Sequence, residues 1–444
     1  MEDLDRKRQF LQTDLVTKIC SSNDELLNVQ VEETDLQMQG HFDGFMSSIF
    51  ELKVAIKRSN NGEKELLKLL VKVMKGDEKF RRESLSLILF PNEINVYKNV
   101  IPLFRALIEK SKASINFRTW CPRIYYADQG NFPNYSDQLE TILVMQNVQE
   151  LGYTSGPKLD LDSQHLTLMA RKIAQFHACS YALRILDEVK WSQLIETIIP
   201  LNFIENGKIV FESYDIIFKA TQTRIYRYYD ANPSIFTSDK ERSDVKTIRE
   251  KYGSNPSELM QRCLQQDKTF SVILHGDYNR NNVLFKYEEG KATDVMMIDF
   301  QENRYGSPAL DLSFFMYMNM TTETRNQCWE DVLKAYHTEL LRCLQELTNL
   351  PTDDIRLQPY SFNNLMAHLS RYFIYGAMIA IKFQPAMLAS TNEISAITHY
   401  FHNDIHAPEF SELLIRAGGV TATHRIAEIM LHCSKMGYLQ FLHE

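Results

Sequence analysis

Residues Phe270–Leu312 read FSVILHGDYNRNNVLFKYEEGKATDVMMIDFQENRYGSPALDL. An apolar strand delivers His275-Gly276-Asp277 onto a polar loop that ends at Asn281-Asn282. Two β-rich runs follow, joined by a Glu289-Gly290 turn, and the second of them, Val295 to Ile298, ends at Asp299-Phe300. Carboxylates carried to the edge of a buried hairpin need partners or a metal ion. The strand ends therefore bring Asp277, Asn282 and Asp299 together as a cluster with a chemical purpose.

Phosphoryl transfer needs a carboxylate that orients and deprotonates a hydroxyl, and oxygen ligands that hold Mg²⁺ against nucleotide phosphates. Asp277 fits the first role, and Asn282 with Asp299 fits the second. The spacing H-x-D-x₄-N alone arises by chance in about one chain of this length in fifty, and the strand-borne Asp-Phe makes chance a poor explanation.

Working outward, the Gly40 and Gly44 region precedes a strand over Ser47–Lys57 with even-numbered residues inward. Asn60-Asn61-Gly62 supplies a turn, and the run Glu65–Met74 reads as a second, buried strand, with helix as the alternative its leucines leave open. Ser84–Val100 is expected to be a helix stopped by Pro102. Cys121–Tyr126 and Thr141–Met145 read as strands flanking a polar loop, Asp128–Gln138. An amphipathic helix over the first twenty residues packs on this unit. From Asp162 onward the period is helical, apart from the segment 270–300, with an aromatic-rich stretch at Tyr214–Tyr229.

The longer string resembles the ecdysteroid kinase-like family of insects, within the aminoglycoside phosphotransferase and choline kinase group. The resemblance spans residues 40 to 320 by ordered motifs. Lys72 in LLVKVM is similar to the family's nucleotide-phosphate lysine, and Glu93 in FPNEINVY to the helix glutamate that pairs with it, at a separation of 21 residues. Met145-Gln146-Asn147 resembles the hinge that holds the adenine edge, and Ser47 closes the turn that resembles the phosphate-facing one. The resemblance implies an α+β, bilobal protein-kinase-like fold. A β-rich nucleotide lobe would occupy residues 1–145, and the hinge with a mainly helical acceptor lobe 146–444.

It further implies an ATP- and Mg²⁺-dependent kinase acting on a hydroxyl of an apolar small molecule such as an ecdysteroid, a related steroid or a xenobiotic. Asp277, His275 and Asn282 form the catalytic set, with His275 orienting the loop and Asp311 anchoring it. Three departures from the family pattern are the displaced glycines at 40 and 44, Asn279 in place of a tryptophan, and Gln146 in place of an acidic hinge residue. They motivate an alternative, a catalytically silent ligand-binding module.

Composition agrees with a packed protein: of 444 residues 44% are hydrophobic and 24% charged. A net charge of −8 argues against a nucleic-acid partner. Apolar runs stop short of the roughly 18–20 residues a membrane span needs. Seven scattered cysteines without CxxC spacing suggest reduced thiols and a cytoplasmic protein, expected to be monomeric. His177 is read as a core histidine. His399, His402 and His406 are read as loop residues rather than zinc ligands.

Overall fold

In the computed structural model, which describes residues 2–38, 47–59 and 62–443, one antiparallel sheet organises the N-terminal third. Its strands are β1 (Val29–Met38), β2 (Ser47–Arg58), β3 (Lys64–Met74), β4 (Ile124–Asn131) and β5 (Leu139–Gln146), in spatial order β1-β2-β3-β5-β4. Side chains alternate across a pleated strand, so each strand feeds two environments. Leu52, Val54 and Ile56 of β2, Leu69, Val71 and Val73 of β3, and Ile142 and Val144 of β5 share one core. Phe10, Leu11, Leu15, Val16 and Ile19 complete it from helices Glu2–Gln12 and Asp14–Ser21. The other face carries Lys72, in register with Ile49 on one side and Leu143 on the other.

Several local expectations change. β1 is an exposed edge strand with only Leu36 buried, and a bulge between Val31 and Glu33 puts its two short apolar alternations out of phase, so its signal in the sequence is weak. β4 runs four residues into the expected loop, to Asn131, and pairs with β5 from Ile124↔Met145 out to Asn131↔Leu139. Pro102 does not stop its helix. A π-turn at Val96–Val100 links helix Ser86–Asn95 to helix Ile101–Ser111, and Pro102 falls in the first turn of the latter, where a missing N–H costs little. The glycine turn at Gly40 and Gly44, and Asn60-Asn61, lie outside the described residues.

The remainder is mainly helical, so the protein-kinase-like fold class expected from the resemblance, a β-rich N-terminal part and a mainly helical C-terminal part, is the one observed. Helix Ser163–Leu186 starts at Asp162, whose carboxylate accepts from the Gln164 and His165 N–H groups, and buries Leu166, Met169, Ile173 and Phe176. His177, on the same helix, is buried and bonded to Tyr336 Oη at 2.9 Å. His399 and His402 lie in helix Thr391–Asn403, not in a loop. Within the helices sits the hairpin Val283–Glu288/Lys291–Met297, turning at Glu289-Gly290.

Strand Val272–Leu274 pairs with Arg304–Gly306, and the loop beyond it is fastened by one carboxylate. Asp311, buried at the start of helix Ala309–Asn319, accepts the His275 N–H at 2.8 Å on Oδ2 and the Gly276 N–H at 2.9 Å on Oδ1. His177 Nε2 lies 3.2 Å from Oδ2. Burial opposes this charge, yet His177, His275 and the Gly276 N–H together hold the carboxyl below its ordinary value. A depressed carboxyl stabilises the fold above its unfolded pKa of about 3.9, and that share is lost as pH falls through the folded value. Asp311→Asn should therefore cost about 2–3 kcal/mol at pH 7. In urea titrations the gap to wild type should narrow below about pH 4; a gap independent of pH would mean that Asp311 acts by shape alone.

Candidate functional site

The site begins with a lysine that alternation places on the non-core face of β3. Lys72 is buried, and its Nζ bonds Glu93 Oε2 at 2.8 Å and Asp299 Oδ1 at 2.8 Å. Neighbouring lysines on β3 lack this setting; Lys68, for example, pairs with exposed Glu150. Burial works against the Lys72 charge, but Asp299 and Glu93 hold the ammonium above its ordinary value. Burial pushes the Glu93 carboxyl up, and Asp299 adds to that push against the pull of Lys72.

Asp299 follows Met297, the last residue of its strand, by two positions and adopts φ +64°. That left-handed conformation is tolerated by aspartate at a cost of order 1 kcal/mol or more. Phe300 wedges beneath it, 5.5 Å from the Tyr97 ring and 4.6 Å from the His275 ring. His275 is buried, which lowers its pKa and keeps the ring neutral. Its Nε2–H donates to the Ile298 carbonyl at 3.0 Å, the geometry of a residue that orients the loop.

Gly276 has φ +88°, and a Cβ there would stand 1.8 Å from the Glu302 carbonyl oxygen, so no other residue fits between His275 and Asp277. The Asp277 carboxylate accepts from Asn279 Nδ2 at 2.8 Å and from Asn282 Nδ2 at 2.6 Å. Burial, then Glu302 and Asp299, push its pKa well above the carboxylate range. Asn279, the residue that departs from the family pattern, thus supports Asp277 directly.

Residues of this cluster line two cavities. One, of about 290 Å³, is lined by every residue expected on the nucleotide side: Ser47, Lys72, Glu93, Met145, Gln146 and Asn147, together with Asn282 and Asp299. In the expected hinge, the Gln146 N–H donates to Arg123 O and the Asn147 N–H to Lys68 O, so both donors are already engaged within the protein. The other cavity, of about 360 Å³, has Asp277 at its mouth with Gln301 and Glu302, and Tyr214, Phe314, Tyr375, Ile379, Lys382 and Phe401 around it. The expected aromatic stretch contributes Tyr214, whereas Phe218, Tyr226 and Tyr229 are core. Glu302 lies within the Phe270–Leu312 stretch but carries no role that its spacing assigns, and Lys382 lies in no motif, 105 positions beyond Asp277 in the chain.

A divalent cation suits the nucleotide-side residues. Because the Asn282 amide nitrogen is spent on Asp277, its oxygen remains for a ligand, and Asp299 Oδ2 is free of the Lys72 bond made by Oδ1. Two hard oxygens facing a cavity are a donor set for Mg²⁺. Removing the lysine would instead leave two carboxylates facing each other. Lys72→Met should lower stability by about 3–5 kcal/mol in chemical denaturation; a loss below about 1 kcal/mol would show that the ion cluster does not organise this junction.

No curated protein matches the sequence. Among solved structures, Plasmodium vivax ethanolamine kinase aligns over 89% of this chain and 83% of its own, at 12% identity and a TM-score of 0.35. The GDP complex of wild-type aminoglycoside 2'-phosphotransferase-IIIa aligns over 91% of this chain and 97% of its own, at 12% identity and a TM-score of 0.34. The sequence model of the ecdysteroid kinase-like family matches residues 41–349, and the chain belongs to that family.

Proposed function

We propose that the protein is an ATP- and Mg²⁺-dependent kinase that transfers the γ-phosphate to a hydroxyl of an apolar small molecule, with an ecdysteroid or a related steroid or xenobiotic as the leading acceptor class. One observation carries this reading: the 2.6 Å bond between Asn282 and Asp277 joins a residue of the nucleotide-side cavity to a residue of the apolar cavity. A donor phosphate on one side and an acceptor hydroxyl on the other would meet across it. The nucleotide lobe is assigned to residues 1–145, the hinge and acceptor lobe to 146–444, and the cytoplasm is the proposed location.

Asn282 and Asp299 are the residues that would hold Mg²⁺, which when bound neutralises phosphate charge. Lys72, already fixed by Glu93, directs its ammonium at the same space and is the proposed phosphate ligand. Met145, Gln146 and Asn147 would flank the base and Ser47 the phosphates, all four lining this cavity. With the Gln146 and Asn147 N–H groups engaged, other groups of the segment must read the adenine edge.

Asp277 orients the acceptor hydroxyl for in-line attack and takes its proton. A carboxyl whose proton affinity is raised by its surroundings is suited to that. Asn279 and Asn282 hold its two oxygens, and His275 and Asp311 hold the loop backbone. Such catalysis is mainly positioning and electrostatics.

Purified protein incubated with Mg·ATP and a panel of hydroxysteroids should yield a steroid phosphate by mass spectrometry. Asp277→Ala should lower the rate by at least about 100-fold while keeping the thermal shift produced by Mg·ATP. Asp299→Ala should lose the Mg²⁺-dependent part of that shift. A wild type that shows neither a metal-dependent ATP shift nor a phosphorylated product would favour the silent binding module.

A further inference from the structure

Lys382, on helix Ile374–Met387, is 3% exposed and lines the apolar cavity. Its Nζ makes no hydrogen bond among the described residues. Aromatic rings surround it instead, with centroids 2.7 Å away for Tyr214, 4.1 Å for Phe383 and 5.8 Å for Phe218. An unpartnered buried donor is destabilising, and a methionine would fill the same space without that cost. Burial also drives the amine well below its ordinary pKa, with Glu302 and Asp277 opposing.

Neither carboxylate is hydrogen-bonded to this amine. Glu302 Oε2 faces Arg304 Nη2 at 3.2 Å, and the two Asp277 oxygens accept from Asn279 and Asn282. The amine's position is nevertheless well defined. Gly376, on the same helix, packs so tightly on Ser313 that a Cβ would lie 2.1 Å from the Ser313 carbonyl carbon, and its N–H donates to Ser313 Oγ at 3.0 Å. Helix Ile374–Met387 is thereby held against helix Ala309–Asn319, which carries Asp311 and through it the Asp277 loop. Lys382 lies beyond residue 349, where the family match ends.

We propose that Lys382 is a specificity-determining residue that donates a hydrogen bond to an uncharged carbonyl oxygen of the acceptor, at a distance from the hydroxyl held by Asp277. The assignment rests on the kinase reading of the same cavity and deepens it. An acidic acceptor would face Asp277 and Glu302 in one apolar chamber, which disfavours it. An acceptor bearing an ammonium would find Glu302 already paired with Arg304 and both Asp277 oxygens already accepting from Asn279 and Asn282. What remains is a neutral, mostly apolar molecule with a hydroxyl at one point and a carbonyl at another. Two fixed points also decide which hydroxyl reaches Asp277.

The test is calorimetric binding, without ATP, of a hydroxysteroid that carries a ring ketone and of the matched steroid in which that ketone is a methylene. Wild type should bind the ketone at least about tenfold more tightly, because a buried donor left unpaired penalises the analogue. Lys382→Met should bind the two alike, and Lys382→Gln, which keeps a donor, should retain part of the preference. An unchanged Mg·ATP thermal shift in both variants reports an intact cleft. A preference that persists in Lys382→Met overturns the proposal, as does a wild type that shows no preference or binds neither steroid. A Lys382-dependent preference without any steroid phosphate under Mg·ATP would overturn the kinase reading and leave the Lys382 assignment standing.

Discussion

The buried ammonium of Lys72 is the constraint around which the site is built. A charge removed from water must be matched by partners of good geometry, and here the two partners come from different parts of the chain. Glu93 arrives on a helix that crosses the sheet face, and Asp299 arrives from the end of a hairpin strand in the helical part. The helix is tied to the Asp299 region a second time, since Asn92 Nδ2 donates to the Asn303 carbonyl at 2.6 Å. Sheet, helix and hairpin are thus held in one arrangement by charges that none of them could bury alone.

A second layer of order comes from Asp311. By accepting the two N–H groups of His275 and Gly276, it fixes the backbone from which Asp277 projects. The strained or special backbone angles of the region, at Gly276 and Asp299, fall at the residues flanking the junction of the two cavities. Such conformations persist only where surrounding structure over-determines them. Here the determinants are the Asp311 carboxylate, the His275–Ile298 bond and the Phe300 ring packed under the loop. All seven cysteines are free, and six of them are buried, so cross-links contribute nothing to this order. Among the described residues no helix is long and apolar enough to cross a membrane.

The two sides of the junction differ in chemistry. The cavity at Lys72 is lined by charged and amide groups among its apolar ones, whereas the other joins aromatic and aliphatic walls to Asp277, Glu302 and Lys382. More than half of the residues around the apolar cavity lie beyond residue 349, on helices Ile374–Met387 and Thr391–Asn403. Those C-terminal helices, whose purpose the sequence leaves open, therefore shape the apolar cavity.

Much of the site was legible because its members are near one another in the chain or in a pleat. His275, Asp277, Asn282 and Asp299 flank one hairpin, and strand alternation alone points Lys72 away from the core that holds Val71 and Val73. Edge strand β1, the π-turn that carries the helix past Pro102, and the shorter β4–β5 loop escaped notice because pairing and packing with distant segments produced them. The sequence by itself determined the chemistry available and the elements that bear it, since those follow from local periodicity and residue type. Only the tertiary structure decided that Glu93 rather than solvent faces Lys72, that Glu302 is paired with Arg304, and that Lys382 stands unpartnered in the apolar cavity. Burial and hydrogen-bond satisfaction are properties of surroundings that the fold assembles from remote parts of the chain.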